Sequence, residues 1–132
     1  MSLTLVEADR IMDAAVAKAR ELGFNVSIAI VDAGAHLVAF KRMDGAIWAG
    51  VFGSQGKAST SAAYGMKSGV LEGAADNPVI VGVSATQGPG ALIPAKGGVP
   101  LVRDGVVVGG IGAGGATDVG DEQIAEAGAA KL

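Results

Sequence analysis

The 132-residue chain has no cysteine and one histidine. The missing cysteine removes disulfides, thiolate metal sites and a cysteine nucleophile together, and it suits a reducing compartment. A single histidine removes the His/Cys-rich zinc sites, and no regular acidic spacing resembles an oxygen-ligand calcium loop, so no dedicated metal site is expected. Aromatic residues are scarce, limited to Phe24, Phe40, Trp48, Phe52 and Tyr64, and the formal net charge is -3 without a basic stripe. Nucleic-acid binding therefore lacks both its electrostatic and its stacking contribution and is not expected. No unbroken apolar run of about 18 residues is present to span a bilayer, so no membrane association is expected. A basic-then-apolar leader is also missing, since Glu7 and Asp9 fall in the opening residues; the expected location is cytoplasmic.

Against these absences stands an apolar fraction of 50% and a mean hydropathy of +0.46. A small domain this apolar has a natural outlet in self-association, where a symmetric contact buries an apolar face. A homo-oligomer is expected, with its contact along the small-residue segment from Ala49 to Ala63. The 22 glycines fall between apolar runs without a fixed period, so they punctuate and do not repeat. Length and even composition predict one domain over residues 1–132.

Thr4 and Glu7 have the spacing of a capping box, and Leu5, Ala8, Ile11, Met12, Ala15, Ala19 and Leu22 recur at helical spacing up to the stop at Gly23. Phe24, Val26, Ile28 and Ile30 then alternate with smaller residues as a strand. Ala33-Gly34-Ala35 turns the chain into a returning strand, His36 to Arg42, placing His36, Val38, Phe40 and Arg42 on one face. After a turn at Asp44-Gly45, residues 48 to 66 read as a helix rich in Ala, Gly and Ser. Residues 66 to 77 read as a short helix and loop, residues 79 to 83 fit either a strand or a helix, and Gln87 to Gly98 reads as a loop. Val99 to Val102 and Val106 to Ile111 pair across Arg103-Asp104-Gly105, and Asp118 caps a final helix over about Val119 to Ala130. This order predicts an α+β fold, a mostly antiparallel sheet with helices packed on it.

Several local motifs fail on inspection. Gly110, Gly112 and Gly115 spell G-x-G-x-x-G, but only 17 residues follow, too few for the second strand and acidic residue of a dinucleotide fold. Asp118, Asp121 and Glu122 also already supply negative charge to the helix start where a pyrophosphate would sit. Tight turning and close backbone packing are the better explanation. Gly56-Lys57 lacks a phosphate loop's first glycine, replaced by Val51, and its Ser/Thr, replaced by Ala58. No G-x-S-x-G elbow accompanies His36 for a triad.

Two clusters remain. His36, Arg42 and Asp44 lie on and just beyond the second strand; a histidine beside a turn is commonly structural, and an Arg42/Asp44 pair commonly fixes a turn. Lys57 forms the second with Asp118 and Asp121, as anchor for a ligand carboxylate or as a lock paired with Asp121.

Three blocks carry a resemblance: IVDAGAHLVAFKRMDGA at 30 to 46, GKASTSA at 56 to 62, and GGVPLVRDGVVVGGIGAGGATDVGDEQIAEAG at 97 to 128. In order and spacing they resemble the signature blocks of the GlcG/HbpS-like family, whose members are often labelled haem-binding. The resemblance implies a profilin-like fold and a small-molecule ligand, with haem, a corrinoid such as cobalamin, or a carboxylated metabolite as candidates. Arg42, Lys57, Gly112, Gly114 and Asp118 are the implied ligand-binding positions; Gly114 stands where the family usually has serine, which removes any hydroxyl contact there. His36, Met43 and Met66 are the conventional haem ligands available. The alternative is a small catabolic isomerase, hydratase or lyase, with Arg42 or Lys57 holding a carboxylate and His36, Asp44 or Asp121 moving protons. A structural oligomer without a ligand is the third reading.

Overall fold

The computed structural model describes residues 2–86 and 91–132. Helix α1 (Leu5–Leu22) opens with the capping box, Thr4 accepting from the Glu7 amide while Glu7 reaches back, and closes at Gly23 with φ 80°. Strands β1 (Ser27–Asp32), β2 (Leu37–Arg42), β3 (Gly98–Arg103) and β4 (Val106–Gly114) form one sheet in the order β2-β1-β4-β3, with every neighbouring pair antiparallel. Helix α2 is Ala49–Tyr64, a 3-10 helix covers Ser68–Ala74, α3 is Pro78–Thr86 and α4 is Asp118–Ala129. Among the described residues, no helix is long and apolar enough to cross a membrane.

The sheet divides two unequal layers. Helices α1 and α4 cover one face, where Ile11, Met12, Ile28, Ile30, Leu101, Ile111 and Ile124 form the main core. Helix α2 covers the other, through Ala58 and Ala62 against Ala29 and Val31. The large-small alternation along β1 thus matches a thick layer on one side and a thin one on the other. Thinness on the α2 side comes from β4: a Cβ on Gly110 would fall 2.3 Å from the Ala58 carbonyl oxygen, and one on Gly112 only 2.1 Å from that of Ser54. The glycine motif therefore serves backbone-close packing. The small residues of α2 are spent on this contact within the chain, contrary to the expectation that they form a face between subunits. Gly50, Ser54, Ala58, Ser61 and Ala62 are buried against the chain's own sheet, while Ala49, Phe52, Ala63 and Tyr64 of α2 and its N-cap Trp48 are exposed.

Three local expectations change, and the open choice at residues 79–83 is settled. The β1/β2 register shifts between Ile30 and Val31, leaving Val38 as an extra residue. That bulge turns Val38 toward the main core beside Ala39 while Phe40 faces the α2 side, so the strand does not present His36, Val38, Phe40 and Arg42 on one face. Residues 79–83 are helical, because Pro78 takes the first helical position and the Asn77 side chain accepts from the Val79 amide at 2.9 Å. The cap of α4 is Thr117, whose hydroxyl accepts from the Gly120 amide; Asp118 is the first helical residue. Of the loop expected from Gln87 to Gly98, residues 87–90 lie outside the described residues, and Gly98 already belongs to β3. The Asp104-Gly105 turn has positive φ at both positions, 52° and 77°, as a two-residue hairpin requires.

Candidate functional site

The β1-β2 turn is the most constrained polar feature on the surface. Asp32 ends β1, and its Oδ1 accepts from the amides of Gly34 and His36, each at 2.9 Å, while the His36 Nδ1 lies 3.2 Å away. Ala35 is held at φ 64°, a left-handed conformation that costs a non-glycine residue roughly 1 kcal/mol. A Cβ on Gly34 would lie 2.9 Å from His36 Cε1, so glycine is what lets the imidazole fold over the turn. Burial tends to raise the Asp32 carboxyl, but the His36 and Gly34 amides and the imidazole outweigh it and hold it below the usual aspartate value. A charged Asp32 favours a proton on Nδ1, and in the neutral tautomer that this selects the lone pair lies on Nε2, on a side chain 83% exposed.

Apolar clefts flank this turn. One of about 530 Å³ is lined by His36 and Asp32 with Leu3, Val38, Val106 and Val108. A second, of about 390 Å³, is lined by Ala33, Ala35, Ser59, Ala63, Tyr64 and Leu92. The Ser59 hydroxyl is buried without a hydrogen-bond partner among the described residues.

The other residues singled out from the sequence fall elsewhere. Arg42 ends β2 at the opposite end from His36, and Asp44 lies just beyond it. Arg42 is not spent on Asp44: its Nε and Nη2 both donate to the Ala46 carbonyl, at 3.1 and 2.8 Å. Lys57 and Asp121 meet between α2, β4 and α4. The ammonium donates to Asp121 Oδ2 at 3.1 Å and to the Ala113 carbonyl at 3.2 Å, and Asp121 Oδ1 accepts from the Ala116 amide at 3.0 Å. Their side chains are only 13% and 6% exposed. Enclosure pushes the Asp121 carboxyl upward; Lys57 and the Ala116 amide pull it down without overcoming that, and Asp118 adds to the rise. Asp118 itself is exposed, while Gly112 and Gly114 are buried facing Ser54 and Gly50 of α2. Of the two clusters expected, the structure pairs Lys57 with Asp121 and keeps Arg42 and Asp44 on one cleft, with His36 on another.

Sequence reasoning passed over Asp32, although an aspartate four residues before a histidine, with glycine between, is the pattern of a side-chain-closed turn. Ser59 and Tyr64 carried no comparable signal, because only the fold brings α2 beside the turn.

The model of a family described as "Haem degrading protein HbpS-like" matches residues 3–130. The chain belongs to the HbpS-like family. Protein GlcG of Escherichia coli strain K12 is 36% identical over 105 residues, 80% of this chain and 75% of GlcG. Among solved structures, HbpS itself superposes with a TM-score of 0.89 at 32% identity, covering 100% of this chain and 91% of HbpS. PduOC, solved as a complex with haem, superposes with a TM-score of 0.87 at 27% identity, covering 100% of this chain and 96% of PduOC. The antiparallel α+β fold of this chain is thus the HbpS-like fold.

Proposed function

We propose that this chain binds a tetrapyrrole, haem in the first instance, at the Ala33–His36 turn, as the subunit of a cytoplasmic homo-oligomer. The observation that carries the reading is the Asp32–His36 arrangement. A metal-ligating histidine characteristically donates its second ring N–H to a carboxylate, which fixes the tautomer and raises the basicity of the ligating nitrogen. Here Nδ1 faces Asp32, Nε2 makes no hydrogen bond to a described residue on a side chain that is largely exposed, and apolar clefts on either side offer walls for a flat hydrophobic ring. The donor chemistry fits a haem iron, which takes histidine as an axial ligand. The haem complex of PduOC, alike in fold over the whole of this chain, supports the same ligand class. When bound, haem would supply redox chemistry; the protein supplies an oriented imidazole and a partly apolar seat. The absence of cysteine suits a reducing cytoplasm.

The acid-base enzyme reading keeps only Arg42 with Asp44 out of its wider constellation. His36 lines one cleft, Arg42 and Asp44 another, and Lys57 with Asp121 is enclosed between layers. Absorption titration with haemin tests the binding claim. A saturable shift of the Soret band at one haem per chain is expected, and no saturable shift at equimolar haemin overturns it. A corrinoid that saturates where haemin does not would replace the ligand but keep the site.

A further inference from the structure

The cleft beyond the opposite end of β2 holds a charge arrangement that the His36 site does not use. It measures about 460 Å³ and is lined by Arg20, Asn25, Lys41, Arg42, Met43 and Asp44 among others. Three cations face one carboxylate, so the lining carries +3 - 1 = +2 in a chain of formal net charge -3. Arg42 is pre-oriented by its two bonds to the Ala46 carbonyl, which leaves three of its five N–H groups for a ligand. The Arg20 guanidinium, from the last turn of α1, has no hydrogen bond or ion pair to any described residue. Lys41 has a loose pair with Asp13, 4.0 Å away, both well exposed. The Asp44-Gly45 turn rests on Asn25: a Cβ on Gly45, where φ is 79°, would lie 3.3 Å from Asn25 Nδ2.

A solvated helix face accounts for a lysine or arginine on a convex surface, and a cation in a last helical turn also complements the macrodipole. Neither accounts for three cations lining one concavity, where Asp44 and the loose Lys41–Asp13 pair offset their repulsion only in part. An anion relieves it. We infer that this cleft binds a small dianion of the dicarboxylate or organic-phosphate class. Arg42 makes the paired hydrogen bonds that its planar fork suits, and Arg20 and Lys41 neutralise the second charge. The Asn25 amide and Asp44 remain for a hydroxyl beside the anionic group. The cleft shares no lining residue with those beside His36, so failure here leaves the haem reading untouched, and the reverse.

The test is an NMR titration of nitrogen-15-labelled protein at low salt with succinate and, separately, with inorganic phosphate. Saturable shifts of the Arg42 Nε–H and Asn25 side-chain signals are expected, and the tighter probe identifies the carboxylate or phosphate class. Arg20→Met should weaken that probe about fivefold or more, and Arg42→Lys about tenfold or more, because a point charge does not replace a fork. Arg20 carries no internal bond, so its variant should melt where the wild type does and keeps the test decisive if Arg42→Lys disturbs the turn. Lys18→Met removes a cation outside the cleft, one paired with Glu21 at 3.3 Å, and should change nothing. No saturable shift with either probe up to about 10 mM, a range that already covers weak millimolar binding, overturns the inference. Equal weakening by Arg20→Met and Lys18→Met overturns it too, since both remove one charge and equal effects would mark nonspecific charge attraction.

Discussion

At the residue scale, the pairing of Lys57 favours the lock over the ligand anchor and can be tested. Its ammonium is held by Asp121 and the Ala113 carbonyl, and removing it strands a carboxylate that is almost fully enclosed. Lys57→Met should therefore cost about 3 to 5 kcal/mol in urea unfolding, and adding Asp121→Leu should recover much of that, because the loss comes from the uncompensated charge. Haem binding per folded molecule should survive both changes. Glu7 gives a pH-dependent counterpart. Hydrogen bonds from Thr4, with its side chain first and its amide second, and then Arg103 lower its pKa from 4.5 to about 2. A carboxyl depressed in the fold contributes stability that is fully present above its unfolded pKa and is lost as pH falls through the folded one. Glu7→Gln should thus be less stable than wild type at pH 7, and the gap between their unfolding midpoints should close between about pH 4.5 and 2. A gap that stays constant over that window would contradict the assignment.

At the element scale, the helix-sheet contact depends on where glycine is required and where it is merely tolerated. Gly112→Ala drives a methyl into the α2 backbone at 2.1 Å from the Ser54 oxygen and should destabilise by about 3 kcal/mol or more. Gly53, inside α2, has nothing within 4 Å of its Cβ position, so Gly53→Ala should stabilise by about 1 kcal/mol through helix propensity. Thermal unfolding of the two variants should move in opposite directions. Much at this scale was legible from residues alone: the capping box of α1, the stop at Gly23, the Asp-Gly hairpin and the alternation in β1 are local chemistry with a fixed period. What was not legible had a nonlocal or competing cause. The β2 bulge reassigns Val38, and no local pattern marks it. Asn77-Pro78 did mark the start of α3, but the run of valines that follows fits a strand equally well. The site was less legible than the fold. His36 was visible as the lone histidine, whereas the clefts around it are built from α2, β4 and residues near Leu92, which only the tertiary arrangement brings together.

At the scale of the whole molecule, the apolar excess has a visible destination. Trp48 and Val79 are each 70% exposed and Phe52 and Val81 half exposed, bulky apolar side chains that a second subunit could cover. A particle clearly larger than the 12.9 kDa monomer is expected by light scattering at micromolar concentration, and Phe52→Glu should shift it toward monomer. A monomeric wild type would contradict this. The central claim, that His36 is the residue that takes the iron, is tested most directly by comparing haemin titrations of wild type and His36→Ala. The wild type is expected to saturate with a histidine-ligated Soret band; the variant should bind about tenfold weaker or not at all, with a different band position, while unfolding at the same temperature. Identical spectra and affinities in the two proteins would contradict it.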